Sequence, residues 1–490
     1  MSEIKTLSKG KMWGYAIGQL GWSIISGLIG SWLVYFYQPS QEALDEGMKI
    51  FVPQGRIIFG VLTIIGLITA TGRVFDAITD PLVGSWSDKC KSKLGRRIPF
   101  LRYSAIPLGI IFVLVFCAPI PERSSINSVW LFIFVLAYYF AITCYCTPYT
   151  SLLAELAHNQ DEKLKLSMCI SLTFIVGTAI GYAAPVIWGF LISNFGFERI
   201  PAMRLTFAIL ALIATIFMLV PAFGINEKDY CNAKPSESSM FSSLAKTFKN
   251  RDFRFFVLQD IVYWFGLTMF QTGLPFFVTT LLKLGEQYST IMFIGLTALS
   301  LCFYPFVTKM AHKWGKKKLL VAAFVGFFLT FALTSLCGPY LLIPVPVQAV
   351  LIVVIGSFPQ AIFGIVPQTI VADIAQSDEI QTKENRSGMF YAARTFAMKL
   401  GQSLAMLVFT SLATIGASKL AANAQNLAAE VSENGGTPLG YRIVAMVAAI
   451  CCIAGGIIMM FFNEKRVMGI IESVNPNEER NAQVEDKSEN

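Results

Sequence analysis

Apolar runs of about 20 residues or more, separated by short polar clusters, recur along almost the whole chain, and a helix needs a run of that length to cross a bilayer. Twelve are read, at 12–37, 56–87, 98–118, 128–156, 165–193, 203–224, 252–281, 289–308, 318–337, 345–372, 389–415 and 440–462. They predict an all-α membrane protein of twelve transmembrane helices. The stretch 225–251, with Lys, Asp, Pro and several Ser, is the expected linker between two six-helix halves, 1–224 and 252–463. Residues 416–439, rich in Ala, Asn and Gly, form a long late loop, and 464–490 is a polar tail whose acidic end is expected to be disordered.

Basic residues orient these runs, because short loops rich in Lys and Arg stay on the cytoplasmic side. The 88–97 and 309–318 loops hold much of the lysine and arginine, whereas 38–55, 119–127, 338–344 and 416–439 hold little. An even helix count then places both termini in the cytoplasm. The same two loops expose an internal repeat: Lys93-Leu-Gly-Arg-Arg97 and Lys313-Trp-Gly-Lys-Lys317 share a pattern 220 residues apart, each after the second helix of its half. A fainter echo pairs Pro148-Tyr-Thr-Ser-Leu-Leu-Ala-Glu155 with Pro367-Gln-Thr-Ile-Val-Ala-Asp373. Parallel six-helix repeats suit a carrier that rocks its halves around a site between them, and one chain with both halves suffices as a functional monomer.

Composition narrows the classes. Of 490 residues, 54% are hydrophobic and 14% charged, against roughly 25% charged in soluble domains. The formal net charge of +8 is gathered largely into interhelical loops, so nucleic acid is not an expected partner; the lipid bilayer is. The ten cysteines occur mostly singly in apolar runs, as at Cys117, Cys169 and Cys302, without a CxxC or a histidine cluster. They read as small apolar residues rather than metal ligands, and no resident cofactor is expected. The first apolar run begins near Met12 and outlasts a signal peptide. No GxxxxGK run is present, so neither ATP-driven transport nor an enzyme is expected and the energy source reads as an ion gradient.

The chemistry concentrates in the second run. Asp76 and Asp80 are four residues apart, with Arg73 and Thr79 beside them, so in a helix the carboxylates share a face. Carboxylates in hydrocarbon are costly unless they line a cavity and hold something, and two close together repel unless a cation or a proton compensates. Oxygen ligands suit sodium or lithium, and a proton fits the same pair. Lys399, at least ten residues inside either end of the eleventh run, is expected in the central cavity, pairing with an aspartate when the cation is absent. Arg394 reads as a loop anchor and Asp260 as either a docking or a transport residue. Glu155, Asp373 and Arg386, at cytoplasmic helix ends, are expected to pair between the halves and close an inner gate. Trp22, Tyr149, Trp188 and Trp264 offer amphipathic ring surfaces to a solute.

With those residues laid out, the chain resembles the glycoside-pentoside-hexuronide:cation symporter family of the major facilitator superfamily, which includes the bacterial melibiose carrier. The most specific match is Arg73-Val-Phe-Asp-Ala-Ile-Thr-Asp-Pro-Leu-Val-Gly84, followed by Ser87-Asp88 and Gly95-Arg-Arg97. The resemblance implies a major facilitator fold in a plasma membrane, bacterial and inner. It implies that Asp76 and Asp80 are the sodium or proton carboxylates, that Thr143 contributes a hydroxyl, and that Thr79 stands where the melibiose carrier has asparagine. It further implies that Lys399 is the lysine between cation and sugar pockets, with Arg73 coupled to it, and that Pro148-Tyr149 marks the kinked inner half of the fourth helix.

The departures bear on the solute. Where the melibiose carrier holds sugar hydroxyls with two aspartates and an arginine, the matching positions here are Ser23, Cys146 and Ser171, which removes the charged contacts that discriminate hydroxyl patterns. The leading expectation is symport of a sugar or glycoside with sodium or a proton, the solute held by neutral groups including Gln19 and Gln259 and by the aromatics. Two others stand beside it: symport of a lysophospholipid or other amphipathic solute, since the eukaryotic lysophospholipid symporters carry a closely similar aspartate run, and a non-transporting sensor on the same fold.

Overall fold

The computed structural model describes residues 7–54, 62–156, 160–230, 247–383, 387–415 and 436–473, and the described chain is helical apart from isolated bridge pairs. Its helices are α1 (Lys9–Tyr37), α2 (Gln41–Asp45), α3 (Ile64–Asp88), α4 (Ile98–Val115), α5 (Ser125–Leu156), α6 (Gln160–Tyr182), α7 (Ala184–Phe195), α8 (Arg199–Gly224), α9 (Arg251–Phe276), α10 (Gln287–Trp314), α11 (Lys316–Leu336), α12 (Val345–Thr382), α13 (Ser387–Ala413), α14 (Pro438–Met460) and α15 (Glu464–Glu472). Among the described residues, eleven spans are long and apolar enough to cross a membrane, with α6 and α7 lying in one span. The α3 helix, at 25 residues, matches them in length, but Arg73, Asp76 and Asp80 interrupt its apolar run.

Polar residues at the boundaries start several of these helices. The side chains of Ser8, Thr63, Asn250 and Thr437 each accept a backbone N–H of the following turn, as N-caps do. The fifth predicted run, 165–193, is two helices: the chain breaks at Ala183 because Pro185 sits in the first turn of α7, where its missing N–H costs nothing. The seventh ends as a wide turn over Phe277–Leu281 just after Pro275. The start of the polar tail forms α15. Asn463 caps it by accepting the Arg466 N–H at 3.1 Å, and Val467 is buried. Residues 416–435 and 474–490 lie outside the described residues.

The packing repeats. Among the helices of residues 9–224, α1 packs on α6 and α8, α5 on α3 and α4, and α4 on α8. Among those of 251–460, α9 packs on α13 and α14, α12 on α10 and α11, and α11 on α14. Helix for helix these are the same pairings. A second symmetry lies at the basic loops. Glu227, just after α8, accepts the backbone N–H groups of Arg96, Arg97 and Ile98 at 2.8, 2.8 and 3.1 Å. Glu464, just after α14, accepts those of Lys316 and Lys317 at 2.7 and 2.9 Å. Each carboxylate thus meets the positive end of the third long helix of its set. The glycines of the repeated motif make room for it: Gly95 and Gly315 have φ of +110° and +85°, and a Cβ on either would meet the glutamate.

The two sets meet through α3 with α13, α1 with α9, and α6 with α10. Polar contacts between them gather at the end opposite the basic loops. Arg199 pairs with Glu286, Lys283 with Glu42, and Gln38 donates to the Thr410 carbonyl at 3.0 Å. The Thr290 hydroxyl donates to the Tyr182 carbonyl at 2.6 Å, and the Tyr182 ring stacks on Phe293 at 3.8 Å. That end is closed in this structure.

Candidate functional site

At the contact of α3, α5 and α13, the Lys399 ammonium stands between the two aspartates, its Nζ 2.8 Å from Asp76 Oδ2 and 2.5 Å from Asp80 Oδ2. The other oxygens of both carboxylates accept threonine hydroxyls: Thr143 donates to Asp76 Oδ1 at 2.6 Å and Thr147 to Asp80 Oδ1 at 3.0 Å. Thr79 is peripheral, donating to the Asp76 backbone carbonyl at 3.2 Å, with its oxygen 3.5 Å from that of Thr143. Side-chain exposure is 7% for Asp76, 11% for Lys399 and 26% for Asp80. The trio carries a formal charge of −1, which one monovalent cation neutralises. Because Lys399 belongs to one helix set and both aspartates to the other, the ion pair also ties the sets together.

The surroundings hold α3 in register. Ser403 on α13 donates to the Ala70 carbonyl at 2.9 Å, and the Tyr139 ring of α5 packs onto Gly72, where a Cβ would collide with it. Arg73 donates to Gln402 Oε1 at 3.2 Å, with its guanidinium 5.2 Å from the Tyr139 ring centre. Among the described residues, no group of three or more His, Cys, Asp or Glu is placed to hold a metal ion.

The expected solute-pocket residues scatter. Gln19 and Ser23 are buried on α1, the Gln19 amide donating to the Ser23 hydroxyl at 3.1 Å. Trp22 has a buried indole N–H without a described partner. Cys146 is half-buried between Thr143 and Thr147 in sequence. The Tyr149 ring stacks on Tyr15 at 4.3 Å and its hydroxyl donates to the Tyr15 carbonyl at 2.7 Å. Ser171 is exposed on α6, and Trp264 is half-buried with its ring against Tyr263 at 5.3 Å. Gln259 is completely buried and shares a helix face with Asp252 and Tyr263, which pair with Arg466 and stack on Phe363 respectively. The Gln259 Nε2 and Oε1 are both buried without a described partner. Trp188 packs edge-on against Trp32 at 4.9 Å.

Asp373, expected to pair across the halves, instead pairs with Lys316 of its own set at 2.5 Å. This is what a structure closed at the opposite end requires, because α5 and α12 are then not drawn together. The Glu155 side chain and Arg386 lie outside the described residues. Arg394 is no loop anchor: its guanidinium holds the fully buried Asp260 carboxylate with two hydrogen bonds, at 2.9 and 3.2 Å.

Several residues here went unread in the sequence. Thr147 had a signal, since it lies one helical turn after Thr143 just as Asp80 follows Asp76. Arg199 and Glu286, which join the sets at the closed end, and Glu46, 2.9 Å from Arg199 within the same set, sit in loops and helix starts that carry no periodic pattern.

With this geometry in view, comparison with known proteins gives a consistent picture. The "Uncharacterized symporter YnaJ" of Bacillus subtilis (strain 168) is 23% identical over 419 residues, covering 83% of this chain and 82% of that protein. The "Sodium-dependent lysophosphatidylcholine symporter 1-B" of Danio rerio is 21% identical over 462 residues, covering 86% and 84%. The crystal structure of the nucleoside transporter NupG superposes with a TM-score of 0.61 at 16% identity, over 93% of this chain and 99% of that one, which speaks to the fold alone. The profile described as "MFS/sugar transport protein" matches residues 14–466, so this all-helical, multi-spanning chain belongs to that family of major facilitator transporters.

Proposed function

We propose that this protein is a cation-coupled symporter of an amphipathic solute, with Asp76 and Asp80 as its cation site and Lys399 as the group a cation displaces. One observation carries the coupling: a buried trio of charge −1 bridges the two helix sets. A carrier that must not move with an unbalanced site needs a charge that leaves when the ion arrives, and an ammonium between two carboxylates meets that need. Thr143 and Thr79 supply neutral oxygens, and Arg73 holds Tyr139 and Gln402 around them. Cation binding raises solute affinity, and by linkage the solute raises cation affinity equally.

In this reading α3 crosses the membrane as a twelfth helix, its charges facing the protein interior. The halves 1–224 and 252–463 rock about the site, joined by the 225–251 linker. The basic-loop end and both termini are cytoplasmic, which makes this the inward-facing state, in a plasma membrane of bacterial inner-membrane type. The Glu155, Asp373 and Arg386 gate would form only when the halves close on that side.

An amphipathic solute is placed ahead of a sugar for two reasons. The relative reported above whose name states a solute is a sodium-dependent lysophosphatidylcholine symporter. The positions that hold sugar hydroxyls by charge in the melibiose carrier are Ser23, Cys146 and Ser171 here, leaving apolar surface and single donors such as the Trp22 indole. The family description keeps a sugar as the second reading. The test is uptake by the purified protein in proteoliposomes, with lysophospholipids, sugars and uronates offered under separately imposed sodium and proton gradients. Sodium-driven lysolipid uptake is expected, abolished as accumulation by Asp80→Asn. Gradient-driven uptake of one sugar and no lysolipid moves the chain to the second reading. An Asp80→Asn variant that accumulates solute at the wild-type level refutes the cation site.

A further inference from the structure

The two carboxylates and two hydroxyls form a ladder. Asp76 and Asp80 are one turn apart on α3, Thr143 and Thr147 one turn apart on α5, and each hydroxyl meets the carboxylate of its own level. The levels are separated by about 6 Å of helix rise. Lys399 contacts the Oδ2 atoms of both carboxylates while the threonines hold the Oδ1 atoms, so ammonium and hydroxyls do not compete for the same oxygen.

We propose that Thr147 is a direct ligand of the coupling ion, which is sodium or lithium, and closes the site on its basic-loop side; this rests on the cation reading above. A hydroxyl has one donor and two acceptor lone pairs. Thr147 can therefore keep donating to Asp80 while a lone pair turns to an ion held at that carboxylate. Alkali ions of this size gather several oxygen ligands, as hard cations do. Two carboxylates with Thr143 and Thr79, both at the Asp76 level, leave the Asp80 level short of a neutral oxygen, and Thr147 supplies it. Its position matters as well. Both α3 and α5 run toward the basic-loop end, so the Asp80 and Thr147 level is nearer that end, and Asp80 is the more exposed carboxylate. An ion arriving from or leaving to that side meets Thr147 first or last.

The alternative is a plain docking bond between α3 and α5. The experiment separates the two without knowledge of the solute: thermal melting of the purified full-length chain titrated with sodium chloride, lithium chloride or choline chloride, since an ion that binds the folded state raises the melting temperature by mass action. Thr147→Val, which keeps the shape and loses the hydroxyl, is expected to need about tenfold more sodium or lithium for the same rise. Thr147→Ser is expected to titrate as wild type. A valine variant with the wild-type midpoint overturns the proposal, whether or not its melting in choline is lower. Asp80→Asn is the control: no sodium response there, with an unshifted valine variant, sinks Thr147 alone, whereas a wild-type response in Asp80→Asn sinks the cation site with it. A wild-type chain that answers neither sodium nor lithium overturns Thr147 as a ligand and leaves proton coupling.

Discussion

Replacing Lys399 with Met tests the central claim most directly, that the ammonium is a stand-in which a cation must displace. Lys399 makes two charged contacts, at 2.8 and 2.5 Å, with side-chain exposures of 11% for itself, 7% for Asp76 and 26% for Asp80. Removing one partner of a buried pair costs about 3–5 kcal/mol. Asp80 is partly screened by solvent, so the loss is taken as about 2–3 kcal/mol. In the variant that energy no longer opposes an incoming ion, and at about 1.4 kcal/mol per decade the affinity rises by roughly thirtyfold to hundredfold. The trio's charge falls from −1 to −2, which pushes the same way. Calorimetric titration of the purified variant with sodium, without solute, reads this out, and Lys399→Arg, which keeps the charge, is expected to stay near wild type. Active accumulation should be lost because the ion no longer leaves on its own. A folded Lys399→Met protein whose cation affinity is unchanged or weaker refutes the displacement argument.

At the closed end, Arg199 serves both Glu286 and Glu46, with side-chain exposures of 9% for the arginine and 10% for Glu286. Arg199→Met leaves two carboxylates facing each other, so the closed-to-open balance read by spin-label distances across that end should shift toward open by about 2 kcal/mol, and more than in Glu286→Gln, which creates no such repulsion. Burial opposes ionisation of Glu42, but hydrogen bonding from Lys283 wins and holds its carboxyl below the ordinary 4.5. A lowered carboxylate pKa stabilises closure above the ordinary value and loses that contribution as pH falls through the lowered one. The Glu42 contribution to those distances should therefore be lost only in acid below about 4.5, and Glu42→Gln should remove that part of the response. Asp260→Asn leaves Arg394 without its buried partner and should cost about 3–5 kcal/mol in thermal or denaturant unfolding, whereas Asp260→Leu with Arg394→Met should be near neutral.

How much of this could be read from the chain depends on the range of the interactions. Helix positions came from local apolar runs, and the doubled architecture from the two basic loops whose glycines now prove to accommodate Glu227 and Glu464. Asp76, Asp80 and Lys399 stood out because charge in an apolar run is conspicuous. The pairing of Lys399 with both aspartates at once depends on α3 meeting α13, and Thr147 with Asp80 on the register of α3 against α5; neither is local. Tyr149 drew attention as a possible solute contact, yet Tyr15, far away in sequence, occupies both its ring and its hydroxyl. Gln259 lies on the helix face of Asp252 and Tyr263 rather than that of the exposed Leu258, so its burial is legible from a helical projection. The break at Ala183 was likewise legible in Pro185.

The placement of these bonds bears on how an ion could move the protein. At the basic-loop end the strong polar contacts described above, Glu227 on the start of α4, Glu464 on the start of α11 and Lys316 with Asp373, stay within one helix set. Each set is thereby stiffened as a body without being tied to the other. At the opposite end the contacts cross between sets and lie largely in loops and helix ends, where small rotations make or break them. The Lys399 trio sits between these regions and crosses between sets through α3 and α13. An ion that takes the ammonium's place therefore keeps the charge between the carboxylates as the lysine left it, and it replaces a bond spanning both bodies with ligands drawn from one. The tie that opposes rotation weakens when the ion binds. Coupling then follows from which set each residue belongs to, with no signal needed beyond the displaced lysine.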